Sequence, residues 1–284
     1  MSDRIKSILI VTKADNAEAI KIGNDLSSFL GDCGCAAEVC EHHAGIGEGE
    51  DAFTGRDVDM IFVLGGDGTF ISVARKLRAL GAPLLGFNMG RVGFLADMPP
   101  RGWEERLRPL LEGDYTVSRR MALSFTVERS GQALHRGQAV NDLVVSRGML
   151  ARLVTLDLRY GERFISSVRA DGLIVSTPTG STAYGVSAGG PLVHPDLSVF
   201  TVSPICAFLN NFKPMVLPGQ ERLEVRVMEA RGDVNLTEDG QIAYCLRTGD
   251  TVVIRRAERD LLIVDTGGAD YFDKLKAKGF LTER

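Results

Sequence analysis

The stretch Met60-Ile61-Phe62-Val63-Leu64-Gly65-Gly66-Asp67-Gly68-Thr69-Phe70 decides the fold of the first part of this chain. A continuous apolar run from Met60 to Leu64 is the pattern of a strand buried on both faces, as in the interior of a parallel sheet. Gly65 ends that strand. Phe70, Val73, Ala74, Leu77 and Leu80 then recur along one helical face. A strand that passes through a glycine turn into an amphipathic helix is half of a crossover unit, and crossover units build parallel sheets.

The same alternation extends to either side. Upstream, Ile8 to Val11 is a short apolar run, and Ala17, Ile20, Leu26, Phe29 and Leu30 follow at near-helical spacing until Gly31 offers a stop. Ala36 to Cys40 is a second strand candidate, followed by a glycine-rich, acidic loop from Gly45 to Asp57. Downstream, Pro83 to Phe87 supplies another strand, and Trp103, Leu107, Leu110 and Leu111 another helix. The expectation is an α/β domain over residues 1–118 on a Rossmann-like parallel sheet.

From about Met121 the texture changes. Leu123, Phe125 and Val127 alternate with polar neighbours, and Ser130-Gly131 can turn the chain back. Val140 to Ser146, Leu153 to Tyr160, Leu173 to Thr177, Leu223 to Val227, Thr251 to Arg255 and Leu261 to Val264 are further strand candidates. A β-rich, sandwich-like domain over 119–267 is expected, with residues 268–284 forming a helix around Leu275 that returns to the first domain.

Composition sets outer bounds. With 284 residues, 44% hydrophobic and 25% charged, the chain has the make-up of a soluble globular protein of one large or two ordinary domains. A net charge of −4 gives no general attraction to nucleic acid or to an acidic membrane surface, so any polyanion must be met by a local site. No apolar stretch approaches a membrane span and no signal-peptide pattern opens the sequence, so the expected compartment is the cytoplasm.

The five cysteines are irregularly spaced, which fits a reducing compartment better than a disulfide framework. Cys33, Cys35, Cys40, His42 and His43 bring five soft ligands together, but the histidines are adjacent and no second pair follows. That cluster reads as a turn and a strand edge.

The chemistry concentrates at Gly65-Gly66-Asp67-Gly68-Thr69. A glycine loop leading into a helix start cradles phosphate, because the backbone can approach oxygens closely and the helix presents N–H groups and the positive end of its dipole. An aspartate in such a loop would repel the phosphate at contact distance. It is therefore read either as helping to hold a divalent cation or as facing the attacking hydroxyl as a base, and both are phosphoryl-transfer roles. The dinucleotide fingerprint fails because its third glycine would fall on Ile71, and no Walker sequence is present.

A second cluster runs from Asp171 through an apolar strand into Ser176-Thr177-Pro178-Thr179-Gly180-Ser181-Thr182-Ala183-Tyr184. Hydroxyls and glycine at a helix start can bind phosphate or ribose oxygens, or simply cap the helix. Gly185, Ser187 and Gly189 match a hydrolase nucleophile elbow, but a hydroxyl-rich turn rather than a strand leads into Gly185. Between Ser187 and the only later histidine, His194, there is no acidic residue to complete a triad.

With these segments in hand, the chain resembles the NAD kinase family across most of its length. The match is carried by Gly65 to Thr69, Asn88 to Leu95, Asn141-Asp142, and Asp171 to Pro191. The Gly-Gly-Asp-Gly-Thr loop alone is shared with diacylglycerol and sphingosine kinases; the fourth segment is more specific. The resemblance implies magnesium-dependent phosphoryl transfer from ATP to the adenosine 2′-hydroxyl of NAD. Gly65, Gly66, Gly68 and Thr69 would face phosphate, Asp67 would be the catalytic base with Gly68 close to the dinucleotide, and Phe94 would contact adenine. Asn141 and Asp142 would grip the ribose, Asp171 would face nicotinamide, and Thr182, Ala183, Tyr184 and Ser187 would line the dinucleotide. Arg169 would bear on NAD over NADH. A homodimer or homotetramer is implied, and no protein metal ligand.

Two departures stand out: Ala207-Phe208 replaces a Pro-His pair common in the family, and Lys213 stands where arginine is common. The alternatives carried forward are a lipid kinase and a non-catalytic NAD-binding regulator.

Overall fold

The structure is a computed structural model that describes residues 4–43, 57–90, 93–149, 152–210, 212–230 and 232–282. The loop expected from Gly45 to Asp57 lies almost entirely outside the described residues. So do Arg91 and Val92 of the Asn88 to Leu95 segment.

The chain opens with β1 (Ser7–Lys13), α1 (Ala17–Asp32), β2 (Ala36–His42), β3 (Met60–Gly65), α2 (Asp67–Leu77), β4 (Leu84–Asn88), α3 (Trp103–Leu111) and β5 (Thr116–Arg120). An all-β stretch follows: β6 (Leu123–Arg129), β7 (Gln132–Ala139), β8 (Asp142–Arg147), β9 (Val154–Tyr160), β10 (Arg163–Ala170) and β11 (Gly172–Ser176). A 3₁₀ turn (Thr179–Thr182) and the short α4 (Tyr184–Ser187) interrupt it. Then come β12 (Val199–Ile205), β13 (Met215–Pro218), β14 (Leu223–Glu229), β15 (Val234–Glu238), β16 (Ile242–Leu246) and β17 (Thr251–Arg256). The chain finishes with β18 (Leu261–Asp265) and α5 (Tyr271–Ala277).

The chain divides into two compact units, one of residues 1–119 with 261–284, the other of residues 120–260. The first holds a six-stranded sheet in the order β2-β1-β3-β4-β18-β5. In it β1 pairs with β2 and β3, and β4 with β3 and β18, all in parallel. Every residue of β3 is buried, as its unbroken apolar run requires. Asn16 starts α1 by accepting from the N–H groups of Glu18 and Ala19, and Ala19, Ile22, Leu26 and Leu30 pack that helix onto the sheet. Trp103, Leu107, Leu110 and Leu111 do the same for α3.

Leu261 to Val264, expected in the β-rich half, instead belongs to the first unit's sheet: β18 pairs in parallel with β4, Ile263 opposite Leu84. The stretch that returns is thus a strand as well as a helix. Strand periodicity reports which residues face a core, not which sheet supplies the neighbour.

The second unit has two six-stranded sheets, ordered β10-β9-β14-β17-β6-β7 and β13-β12-β11-β8-β15-β16, whose neighbouring strands pair antiparallel. One buried cluster joins Leu123, Phe125, Leu156, Leu158, Val225 and Ile254 of the first sheet to Leu143, Val145, Leu173, Val175, Val202 and Leu236 of the second. Burial alternates along β6, β9 and β15 as period two demands. β11 is instead buried at every residue, because the 3₁₀ turn and α4 cover its outer face.

The sequence reading named no strand at β12, which carries Pro204 next to its end. Pro204 lies beyond the last pair of β12 with β13, Val202 opposite Met215, so its missing N–H leaves no ladder position unfilled there. Among the described residues no helix is long and apolar enough to cross a membrane. Cys33 caps α1, Cys35 is buried behind it, and Cys40 and His42 lie on β2.

Candidate functional site

In the first unit the glycine loop takes the form its residues predict. Gly65 closes β3, Gly66 is the extended N-cap of α2, and Asp67 is the first helical residue, with Gly68 exposed and Thr69 half-buried in the same turn. Gly66 offers no side-chain cap, so the helix start keeps its positive dipole end for an anion.

Asp67 does not point loosely into solvent. Its Oδ2 accepts from the N–H of Phe94 at 2.8 Å, and its Oδ1 from Leu95 at 3.2 Å and Ala96 at 3.4 Å. An ionised carboxylate has about four acceptor positions. Three are occupied, and one remains for a further donor.

Gly93 makes this docking possible. A Cβ there would lie 2.1 Å from Oδ1 of Asp67 and 2.6 Å from its Cγ, so the carboxylate occupies the space that any side chain at 93 would need. The sequence reading quoted Gly93 within its segment and assigned it no role; a glycine next to Phe94 was the available signal. Phe94 itself is half-buried, with its ring 6.3 Å from that of Phe280.

In the second unit, Asn141, Asp142, Ala183 and Tyr184 come together around a cleft of about 320 Å³, together with Val144, Ser146, Thr237, Asp239 and Gly240. Asp142 is 4% exposed. Burial, reinforced by the charge of Asp239 and opposed by an N–H from Tyr184, pushes its pKa up from 3.8 to about 7. Beside it, Oδ1 of Asn141 is buried without a hydrogen-bond partner. An orphan amide oxygen next to a carboxyl that is half-protonated near neutrality can accept from, and donate to, a pair of hydroxyls.

The backbone under this pair is fixed from several sides. Asp239 accepts from the N–H groups of Val140 at 3.0 Å, Asn141 at 2.7 Å and Asp142 at 3.1 Å. Thr177 donates its hydroxyl to the carbonyl of Val140 at 2.7 Å and its N–H to that of Asn141 at 2.8 Å. A Cβ on Gly180 would fall 2.0 Å from the Asn141 carbonyl oxygen, so only glycine allows this approach. Asp239 was missed, although Asp239-Gly240 between two apolar runs is a hairpin signal. Both residues have positive φ, 49° and 66°, as a type I′ turn requires.

Other predicted residues lie outside that cleft lining. Thr182 donates to the Thr179 carbonyl at 3.2 Å, and Ser187 is exposed at the end of α4. Asp171 is engaged by Nε of Arg147, whose guanidinium pKa rises through that hydrogen bond. Exposed Arg169 holds its guanidinium 5.2 Å from the ring centre of Phe208, so the ring standing in the histidine's place meets a cation rather than offering a donor. Gly185 is preceded by a 3₁₀ turn rather than a strand, which rules out the nucleophile-elbow geometry.

Carboxylates held by backbone N–H groups, at a glycine-led helix start in one unit and beside a cleft of about 320 Å³ in the other, suit a kinase that phosphorylates an alcohol. Residues 46–115 match the model of the ATP-NAD kinase N-terminal domain, and residues 140–266 that of the ATP-NAD kinase C-terminal domain. The chain is 50% identical to an NAD kinase of Nitratidesulfovibrio vulgaris, with 100% of both chains covered. It is 46% identical to one of Oleidesulfovibrio alaskensis, covering 100% of this chain and 96% of that one. Among solved structures, an NAD kinase from Archaeoglobus fulgidus in complex with ATP superposes with a TM-score of 0.75 at 26% identity, covering 96% of this chain and 99% of that chain. Yeast NADH kinase complexed with NADH gives a TM-score of 0.87 at 20% identity, a likeness of fold, covering 100% of this chain and 90% of that one.

The chain belongs to the NAD kinase family, and it is an enzyme with NAD kinase activity. Full-length similarity to NAD kinases leaves the lipid-kinase and regulator readings without support.

Proposed function

We propose that the enzyme transfers the γ-phosphoryl group of ATP to the adenosine 2′-hydroxyl of NAD, with Asp67 as the group that accepts the hydroxyl proton. The observation that carries this reading is the carboxylate of Asp67, held by three N–H groups with one acceptor position left, at the start of a helix suited to phosphate. In a loose phosphoryl-transfer transition state the proton leaves late, so a carboxylate that orients the hydroxyl and receives the proton is sufficient. Gly65, Gly66, Gly68 and Thr69 face the phosphates, and Phe94 faces adenine.

Asn141 and Asp142 hold the ribose diol, and Ala183, Tyr184, Thr182 and Ser187 line the dinucleotide. Asp171 faces the nicotinamide end, with Arg169, backed by Phe208, bearing on its charge. Magnesium enters as part of the nucleotide substrate. The first unit is the phosphate-loop domain, Rossmann-like in its parallel order, and the second is the NAD-binding domain, a sandwich of two sheets around one core. The working form is a cytoplasmic homodimer or homotetramer.

The test is incubation of purified protein with ATP, magnesium and either NAD or NADH. NADP formed from NAD, with turnover lost in Asp67→Asn, supports the reading. NADP formation at the wild-type rate in that variant removes Asp67 from the mechanism.

A further inference from the structure

We infer that Lys274, on the carboxy-terminal helix α5, is a positioning residue for the phosphoryl-transfer step, acting through the backbone of Phe94 to Ala96 on the carboxylate of Asp67. The inference rests on the role proposed above for Asp67. Its basis is one chain of contacts inside the first unit.

Nζ of Lys274 donates to the carbonyl oxygen of Phe94 at 3.1 Å and to Oδ2 of Asp97 at 2.6 Å. The Phe94 carbonyl and the Leu95 N–H belong to one peptide unit, and that N–H donates to Oδ1 of Asp67. A cation on the carbonyl end of a peptide polarises it so that its N–H end becomes a stronger donor. Lys274 therefore strengthens and aims the bond that holds Asp67, although it lies 180 residues from Phe94 in sequence.

The ammonium is placed by more than its own contacts. Asp270 caps α5 by accepting from the Asp273 N–H at 2.8 Å, Leu275 is 2% exposed, and the Phe280 ring beyond the helix meets Phe94. The Lys274 side chain is only 12% exposed, so its charge is little screened. It also separates two like charges. Burial raises the pKa of Asp97, Lys274 opposes that rise, and the charge of Asp67 adds to it. Removing the cation would leave two carboxylates repelling each other across the 94–97 turn.

The experiment compares Lys274→Met and Lys274→Arg with Leu275→Ala as a packing control. NADP formation, melting temperature and amide exchange over residues 93–98 are measured for each. Lys274→Met is expected to lower kcat by about tenfold or more with the KM for NAD within about threefold, and to speed exchange at Leu95. Lys274→Arg, which keeps a cation and donors, recovers most of kcat. Leu275→Ala lowers the melting temperature while kcat, measured well below it, stays within about threefold. Lys274→Gln replaces Lys274→Met should the latter not purify folded. A kcat within twofold of wild type in the neutral variant, unchanged exchange at Leu95, or no recovery with arginine overturns the inference. A wild-type enzyme that makes no NADP instead overturns the reading on which it rests, and the inference with it.

Discussion

Replacing Asp142 with asparagine removes the one described carboxyl whose pKa is pushed from 3.8 to about 7, while keeping an oxygen that can accept from the Tyr184 N–H. Each whole-number change in pKa corresponds to about 1.4 kcal/mol, so a rise of about three is worth about 4 kcal/mol. At 4% exposure solvent does little to screen it.

The sign follows from proton counts. Between pH 3.8 and about 7 the folded protein keeps a proton at Asp142 that the unfolded chain has released, so stability falls as pH rises through that window and levels off above it. The Asp142→Asn variant, with no proton to release there, has no such slope. Urea unfolding at pH 4, 5.5, 7 and 8, followed by the far-ultraviolet strand signal, should show the variant gaining about 4 kcal/mol on the wild type from the lowest to the highest pH. Slopes from groups that do not interact with Asp142 cancel in the difference. Two stability curves that run parallel, separated by a gap that changes by less than about 1 kcal/mol, would refute the claim that an ionised carboxylate is held in an unfavourable place.

Three further outcomes are expected. Asp67→Asn places an NH₂ group against N–H donors of residues 94–96, so it should lose about 1–3 kcal/mol of stability as well as about 10²–10⁴ in kcat, read by melting curves and NADP formation. Gly93→Ala pushes a methyl onto the same carboxylate and should reduce kcat without removing any polar group; an active variant whose turnover matches wild type would show that Asp67 can move without cost. Gly180→Ala collides with the Asn141 carbonyl and should raise the KM for NAD by more than it lowers kcat, measured by initial rates over a range of NAD concentrations.

Much of the architecture was open to reading from residue order alone. An apolar run ended by Gly65 and followed by a helical stripe states its own local structure, because burial on both faces and period 3.6 leave few alternatives. Leu123, Phe125 and Val127 likewise announce a strand with one face inward, and the four inward-facing residues of α3 were legible from their spacing. The strand β12 was not legible in the same way: a proline such as Pro204 is excluded only where a neighbour asks for its N–H, and the extent of β13 determines whether that neighbour does.

The nature of the chemistry was also written in the chain: glycines and an aspartate between a strand and a helix mean phosphate and a carboxylate together, whatever surrounds them. What surrounds them needed three dimensions. That Asp67 lodges over Gly93, that Asp239 holds the Asn141-Asp142 backbone from about a hundred residues away, that β18 joins the first sheet, and that Lys274 completes the 94–97 turn are all contacts between distant segments. Local pattern reports which way a side chain must face, because water is everywhere the same. It carries no record of which partner will be found there, because that partner is delivered by the packing of the rest of the chain.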